Sequence, residues 1–378
     1  MPTRGPGPTG LEAVGSVAVR TFAAHQSQTS PLTALSAHQS MDGHHVNAMA
    51  GDGSGAPHNH FADYDELPDG HFYDPDAEYE PDPEYAATLA PDAARQRRER
   101  VGPTGRPLPY FPIPGPLTNH GPATIIAMCN QKGGVGKTTS TINLGAALAE
   151  YGRRVLLVDF DPQGALSVGL GVNPMELDLT VYNLLMERGM AADEVLLKTA
   201  VPNMDLLPSN IDLSAAEVQL VSEVARESTL QRALKPLMDD YDYIVIDCQP
   251  SLGLLTVNAL TAAHKVIVPL ECEFFALRGV ALLTETIEKV QERLNPELEL
   301  DGILATMYDS RTVHSREVLA RVVEAFDDHV YHTVIGRTVR FPETTVAGEP
   351  ITTYASNSVG AAAYRQLARE VLARCHAE

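Results

Sequence analysis

The chain has 378 residues, enough for one large domain with a sizeable appendage or for two domains. Its 49 acidic and 28 basic side chains give a formal net charge of −21. The protein as a whole should therefore be repelled by DNA and by anionic membranes, and any binding to nucleic acid requires a local basic patch. No run of eighteen apolar residues and no secretory signal are visible, so we expect a cytoplasmic protein.

Residues 1–121 differ in composition from the rest of the chain. They are rich in Gly, Pro, His, Ser and Asp, and the segment Asp63–Glu84 is acidic. A cluster of arginines at 95–100 and a proline-rich stretch at 103–116 follow. Such a composition buries too little apolar surface to offset chain entropy, so we predict a long disordered N-terminal extension and linker over 1–121. One folded domain should then occupy 122–378.

The folded region opens with an apolar run, Thr124–Met128, a glycine-rich loop and a helix-like segment, Ser140–Glu150. Glycines in such a loop let consecutive backbone N–H groups converge on an anion, and the helix adds its positive N-terminal end. A lysine at 137 can reach the terminal phosphates of a nucleotide, and the hydroxyl of Thr138 can bind Mg²⁺. We assign nucleotide binding to Lys132, Gly133, Gly134, Val135, Gly136, Lys137, Thr138 and Thr139.

The loop departs from the general P-loop pattern G-x-x-x-x-G-K-[ST], because Gln131 replaces the first glycine and Lys132 stands at the loop entrance. This form resembles the deviant Walker A motif of the ParA/MinD family of P-loop ATPases. Val155–Gly164 resembles the second signature of that family, and Tyr243–Asp247 resembles its Walker B strand. The resemblance covers roughly residues 122–376 and is closest to chromosomal, Soj-like ParA proteins.

Continuous apolar runs alternate with helical patterns along the folded region. The runs are typical of parallel strands covered on both faces, and they lie at 124–128, 154–159, 243–247, 265–269 and 300–306. Helices are predicted at 214–238, 254–263, 277–294, 313–326 and 358–375. This alternation predicts an α/β fold with a doubly wound, mostly parallel sheet flanked by helices. A ligand should then bind at the carboxyl ends of the strands, where all three motifs lie.

Three aspartates end predicted strands. Asp247 ends a buried apolar strand, where a carboxylate is costly unless it serves a metal or hydrogen bonds, so we assign it to Mg²⁺ through a bound water. Position alone does not rank Asp159 and Asp161. The family resemblance implies that Asp161 orients the attacking water and that Asp159 lies close to the magnesium shell with Thr138. ATP is the implied nucleotide, and no Lys-x-Asp motif for guanine occurs.

The resemblance also gives roles to basic residues. In relatives, the lysine that corresponds to Lys132 reaches across a dimer to the nucleotide of the partner copy. The resemblance therefore implies two catalytic residues, Lys132 and the water-orienting Asp161. Residues 307–312 and 334–341 resemble segments that place arginines on DNA in chromosomal ParA proteins. Arg311, Arg340 and Arg337 are the resulting candidates, with ordinary exposed arginines as the alternative. Gly336 and Thr338 depart from the usual family form.

The resemblance implies a partition ATPase. Its ATP-bound homodimer would bind DNA nonspecifically, associate with the nucleoid and hydrolyse ATP when a ParB-like centromere-binding protein stimulates it. A membrane-associated division-site positioner of the MinD kind is one alternative, and stable membrane association is disfavoured because the chain stops at His376-Ala-Glu378 without a basic amphipathic tail. A ParA-like ATPase that positions a different cargo is the other.

Overall fold

The structure is a computed structural model that describes residues 101–273 and 276–375. Seven strands form one sheet in the order β3-β4-β2-β5-β1-β6-β7. Every pairing is parallel except that of β3 with β4. The strands are β1 (Thr124–Met128), β2 (Val155–Phe160), β3 (Leu197–Lys198), β4 (Met204–Leu207), β5 (Tyr243–Cys248), β6 (Lys265–Glu271) and β7 (Glu299–Thr306).

Helices cover both faces of the sheet, which confirms the predicted α/β fold. They are α1 (Lys137–Glu150), α2 (Ala165–Gly169), α3 (Val181–Met186), α4 (Ala192–Val195), α5 (Leu213–Gln219), α6 (Thr229–Leu234), α7 (Leu254–Ala262), α8 (Ala276–Arg293), α9 (Val313–Phe326), α10 (Arg340–Ala347), α11 (Ile351–Tyr354) and α12 (Val359–Cys375). None of the helices among the described residues is both long and apolar enough to span a bilayer.

The strands are apolar on both faces because each face packs against a separate core. In β1, Ile125 and Ala127 belong to the core under α5 to α9, while Ile126 and Met128 belong to the core under α1 and α12. Neighbouring residues of a strand point to opposite faces, so a strand between two helical layers needs an unbroken apolar run. This is why the predicted strands at 124–128, 243–247 and 265–269 are found.

The predicted helix over 214–238 is wrong. The chain there forms α5, two short 3-10 turns, α6 and a third 3-10 turn. Ala225 adopts a left-handed backbone with φ of 54°, and Pro236 lies in the first turn of the last segment. Val218, Val221 and Val224 are exposed, so no continuous apolar stripe exists to hold one long helix on the sheet. Strands β3 and β4 are not predicted, since each is too short to give a periodic signal.

Residues 101–121 pack on the domain, which corrects the C-terminal part of the predicted disordered extension; residues 1–100 lie outside the described residues. Arg106 donates to the carbonyl of Asp327 at 2.9 Å and to that of Val330. Arg153 donates to the carbonyl of Gly115 at 2.8 Å. His120 and the backbone N–H of Gly121 both donate to Asp242, which precedes β5. The ordered domain therefore extends back to residue 101.

Candidate nucleotide-binding site

The glycine-rich loop connects β1 to α1 at the carboxyl edge of the sheet. Gly134 and Gly136 adopt left-handed backbone angles, with φ of 75° and 83°, which residues with side chains rarely tolerate. Gly136 directly precedes α1, a helix of 14 residues whose N-terminus has no side-chain cap. The first N–H groups of the helix are therefore available to bind an anion.

Two side chains hold the shape of this loop. The ammonium of Lys137 is buried and donates to the carbonyl of Lys132 at 3.2 Å, so the side chain folds back across the loop. The hydroxyl of Thr306, at the end of β7, donates to the carbonyl of Val135 at 2.8 Å. A positive charge is thus held at the mouth of the loop, where the terminal phosphates of a nucleotide would lie.

A buried pair of carboxylates lies beside the loop. Asp159 and Asp247 are register partners on the neighbouring strands β2 and β5. Asp159 accepts hydrogen bonds from the backbone N–H and the hydroxyl of Ser167 at 2.8 and 2.7 Å. Burial raises its pKa to about 6, although these hydrogen bonds oppose the rise. Two acids close together in a dry site favour protonation of one of them or the binding of a cation.

Asp247 is the less satisfied member of the pair. Both of its carboxylate oxygens are buried, and neither has a hydrogen-bond partner within the described part of the chain. Burial and the charge of Asp159 raise the pKa of Asp247 to about 8, while the nearby Thr138 hydroxyl and Lys137 ammonium oppose the rise. An unpartnered buried carboxylate next to a phosphate loop fits a role in binding a hydrated cation.

The donor set suits Mg²⁺ bound together with phosphate. No cluster of three or more His, Cys, Asp or Glu side chains that could hold a metal occurs among residues 101–273 and 276–375. Mg²⁺ bound with a nucleotide usually takes one or two carboxylates and completes its octahedron with water and phosphate oxygens. Thr138, Asp159 and Asp247 match that requirement, whereas a structural metal site would need more ligands.

Asp161 lies on a short loop after β2. Its carboxylate accepts from the backbone N–H of Gln163 at 3.0 Å, and it is half-buried. The loop ends at Gly164, where a Cβ would lie 2.9 Å from the carbonyl oxygen of Ser209. Only glycine fits there without displacing backbone, since φ is also positive at 62°. The backbone N–H of Asp161 donates to the carboxylate of Asp159 at 3.4 Å, so the loop holds Asp161 beside the carboxylate pair.

Lys132 lies outside its own phosphate loop. Its ammonium contacts the carboxylates of Glu271, at 3.1 Å, and Glu273 at 2.5 Å. The side chain of Lys132 is 42% exposed. Hydrogen bonds to the two carboxylates outweigh the effect of burial and raise the pKa of Lys132 above its usual value. The lysine is thus charged and turned towards the end of β6 rather than towards Lys137.

A cavity of about 380 Å³ adjoins the loop on the side of β7. Thr306, Ile335 and Tyr364 contribute to its walls, and Gly136 of the phosphate loop forms part of its floor. Its backbone frame is fixed by hydrogen bonds from Tyr308 N to the carbonyl of Ile335, at 3.0 Å, and from Arg337 N to the carbonyl of Tyr308, at 3.1 Å. A flat, partly apolar ligand group attached to phosphates would fit this cavity.

The structure brings the two predicted DNA-binding segments together but pairs each arginine with an acid. Tyr308 and Gly336 form a parallel bridge, so the segments lie side by side. The guanidinium of Arg311 contacts Asp309 at 2.9 Å and 3.0 Å. Arg340 contacts Glu343 at 3.1 Å, and Arg337 contacts Glu271 at 3.3 Å.

Sequence reasoning missed the cavity and the glutamates. Residues 307–308 and 335–341 were assigned only to DNA, and neither Glu271 nor Glu273 was assigned any role. The cavity forms where loops distant in sequence meet. The backbone turns at Met307, which has a positive φ of 49°. Methionine rarely adopts such an angle, so the sequence contains no signal for this turn.

A glycine-rich loop, a buried carboxylate pair and a cavity at the carboxyl edge of a parallel sheet define a P-loop nucleotide-binding protein. The comparisons agree with this class. The AAA domain family matches residues 123–300 of the chain. An uncharacterized protein of Mycobacterium tuberculosis is 68% identical over 274 residues, which are 72% of this chain and 86% of that protein.

Sporulation initiation inhibitor protein Soj of Bacillus subtilis is 48% identical over 249 residues, 66% of this chain and 98% of Soj. A crystal structure titled cobyrinic acid a,c-diamide synthase from Mycobacterium smegmatis, with bound ADP and magnesium, is 46% identical with a TM-score of 0.59. It covers 66% of this chain and 94% of the solved chain. The chain belongs to the ParA/MinD family of P-loop ATPases, among its Soj and ParA members, which confirms the resemblance drawn from the motifs.

Proposed function

We propose that this chain is an ATP-dependent partition ATPase that acts as a dimer on DNA. The observation that carries the proposal is the unpartnered buried carboxylate of Asp247 beside an intact phosphate loop. The names of relatives support the process: a chromosome-partitioning ATPase Soj of Treponema pallidum is 49% identical, and a chromosome partitioning protein ParA of Caulobacter vibrioides is 47% identical.

In this mechanism, Lys137 and the loop amides bind the β- and γ-phosphates of ATP, and the cavity beside Thr306 takes the base. Thr138, Asp159 and Asp247 would hold Mg²⁺, which neutralises phosphate charge when bound. Asp161 orients the attacking water from its loop. Since phosphoryl transfer depends on positioning and charge neutralisation, the remaining requirement is a second cation near the γ-phosphate.

Lys132 supplies that cation to the partner copy. Its side chain is directed away from the phosphate loop of its own chain, and an exposed ammonium at this edge can meet a second protomer. Dimerisation then depends on ATP, and hydrolysis depends on dimerisation. A ParB-like centromere-binding protein stimulates the reaction, and hydrolysis releases the protein from DNA.

Nonspecific DNA binding is assigned to Arg311, Arg340 and Arg337, which would place the ATP-bound dimer on the nucleoid. Arginine suits this role because its planar guanidinium binds phosphate oxygens through two donors. Each candidate already pairs with a carboxylate of its own chain, so binding requires an exchange of partners. Dimerisation supports that exchange, since it doubles the number of arginines that meet one duplex.

Titration calorimetry with ATP and Mg²⁺ tests the nucleotide site. Lys137→Ala should abolish binding, because it removes the ammonium that the chain holds over its own phosphate loop. Lys289→Ala, on the exposed side of α8, is the matched control and should bind ATP as the natural chain does. Undiminished affinity in Lys137→Ala would overturn the assignment.

A salt titration of DNA affinity tests the arginine surface in the presence of a nonhydrolysable ATP analogue. Arg311 and Arg340, without any contribution from Arg337, give four cations per dimer, so the logarithm of affinity should fall against that of salt with a slope of about −3.6 or steeper. Arg340→Ala should weaken the slope by about 2, and Arg293→Ala, on the exposed end of α8, should not change it. Binding without nucleotide would contradict the proposal.

The second candidate is synthesis of cobyrinic acid a,c-diamide, because solved structures with that title are 45–46% identical to this chain. An assay with cobyrinic acid, ammonium, ATP and Mg²⁺, read by mass spectrometry, distinguishes the two. Formation of an amide product would favour this candidate. ATP hydrolysis that rises with DNA and dimerisation, without any amide product, would favour partition.

A further inference from the structure

Two carboxylates at the end of β6 hold the lysine that the proposed mechanism assigns to the partner copy. Glu271 is the last residue of β6, and Glu273 follows two residues later. Both contact the ammonium of Lys132, although they lie about 140 positions away along the chain. This arrangement is a specific tertiary contact, not a local consequence of the loop sequence.

The charges on the three groups depend on one another. The ammonium of Lys132 lowers the pKa of Glu273, and the two carboxylates raise the pKa of Lys132. The side chain of Glu271 is only 14% exposed, whereas that of Glu273 is 54% exposed. Water screens the pair with Glu273 more strongly, so Glu271 is expected to contribute more to holding the lysine.

Glu271 has a second cationic partner. Its other carboxylate oxygen contacts the guanidinium of Arg337 at 3.3 Å. Arg337 lines the cavity beside the phosphate loop and belongs to the segment assigned to DNA. One half-buried carboxylate therefore neutralises a cation on the phosphate loop and a cation on the DNA-facing segment.

We propose that Glu271 and Glu273 are positioning residues that hold Lys132 within its own chain until a partner copy presents a nucleoside triphosphate. The inference rests on the proposed role of Lys132 in the partner's site. Lys132 must leave both carboxylates before it can bind phosphate in the other protomer. The triphosphate competes for it with more negative charge than a diphosphate carries, so the exchange favours dimers loaded with ATP.

The same exchange frees one side of Glu271. While Lys132 is bound to Glu271, that carboxylate is shared between two cations. Once Lys132 leaves, Glu271 keeps only its contact with Arg337. Removing the charge of Glu271 weakens the hold on Lys132 and on Arg337, whereas removing that of Glu273 weakens only the hold on Lys132. The two single variants therefore differ in a way that a general loss of stability cannot mimic.

The experiment measures dimerisation by light scattering against the concentration of a nonhydrolysable ATP analogue, with the full-length chain. Glu271→Gln and Glu273→Gln should each lower the concentration at half-dimerisation by about two- to fivefold, the range of a single exposed ion pair, and should raise basal hydrolysis. Glu292→Gln, an exposed position on α8, controls for the loss of one negative charge and should have no effect.

Two further measurements separate the possible failures. Glu271→Gln should also strengthen DNA binding by the dimer, and Glu273→Gln should not. In Lys132→Ala, adding Glu271→Gln should give no gain in dimerisation, because the held group is absent. Normal hydrolysis in Lys132→Ala would contradict the proposed function itself. Loss of hydrolysis in Lys132→Ala, together with unchanged or weaker dimerisation in both glutamine variants, would overturn only this inference.

Discussion

The two ends of β5 carry aspartates in opposite states. Asp242, just before the strand, accepts hydrogen bonds from His120 at 2.8 Å, from the N–H of Gly121 at 3.0 Å and from that of Arg154 at 2.7 Å. Burial would raise its pKa, but these hydrogen bonds hold the pKa of Asp242 below its usual value. Asp247, near the other end, has no such partner within the described residues, and its pKa is raised to about 8.

The comparison separates a carboxylate that completes the fold from one that awaits a ligand. Folding satisfies Asp242 with three donors from two segments of the chain. At Asp247 the fold supplies burial and a neighbouring acid but no hydrogen-bond donor among the described residues, which is consistent with the proposed cation site. A buried charge without partners is destabilising, so its retention at one edge of the sheet marks that edge as functional.

The largest effect is expected at Asp247. Asp247→Asn should lower ATP hydrolysis about tenfold to 100-fold, the range found when a residue that supports a metal ion is replaced. The nucleotide-free protein should melt at the same temperature or higher, because an unpaired buried charge is removed. Phosphate release and scanning calorimetry measure the two effects. A lower melting temperature with normal turnover would make Asp247 another structural aspartate.

The reverse pattern is expected at Asp242. Asp242→Ala leaves the N–H groups of Gly121 and Arg154 without their acceptor, so it should reduce the free energy of unfolding by about 2–4 kcal/mol. Hydrolysis per folded molecule should not change. Asp240→Ala, two residues away and exposed, is the control. Urea unfolding measures the difference, and equal stability of the two variants would remove the contrast between the ends of β5.

A smaller effect is expected from deletions at the N-terminus of the chain. The composition of the extension predicts that deleting residues 1–118 leaves the melting temperature nearly unchanged. The contacts of Arg106 and Gly115 correct that expectation, since their loss should lower the melting temperature by about 2–4 °C. Deleting only residues 1–100 keeps these contacts. If the two deletion variants have the same melting temperature, residues 101–118 do not stabilise the domain.

A further difference is expected in pH dependence. The folded pKa of Asp247 lies above the value of about 3.9 in an unfolded chain, so its contribution to stability is lost as pH rises from about 4 to 8. The pKa of Asp242 is lowered, so its contribution persists through this range and is lost only in acid. Unfolding of the nucleotide-free protein and of Asp247→Asn should diverge as pH rises. Parallel curves would contradict the raised pKa.

Secondary structure could be predicted from the sequence where the pattern that indicates an element lies within the element itself. The strand, loop and helix over 124–150 and the aspartate ending a buried run at 243–247 were predictable because apolar runs and glycine spacing are local. The break in the helix predicted at 214–238 was not predictable, because it depends on tertiary packing that leaves Val218, Val221 and Val224 exposed. Helix propensity is a weak determinant of structure, and tertiary packing commonly overrides it.

For the candidate site, too, only features with a local sequence pattern could be predicted. The assignment of the phosphate-loop residues and the aspartates to the site rests on motifs and stays a prediction. The cavity beside Thr306 and the glutamates around Lys132 depend on contacts between residues more than a hundred positions apart. No periodicity shows which loops meet at the edge of a sheet, and nothing in the sequence marks Glu271 among the many acids of an acidic chain.

The hydrogen bond from Thr306 to the carbonyl of Val135 has a consequence for synthesis on the ribosome. A nascent chain that has emerged only through β5 already contains the glycine loop, Lys137 and the three aspartates. It still lacks Thr306, whose hydroxyl bonds to that loop. Tyr364, which lines the cavity, is translated after Thr306. The ATP site therefore becomes complete only with the last strand and helices, so nucleotide can stabilise the finished protein but not the growing one.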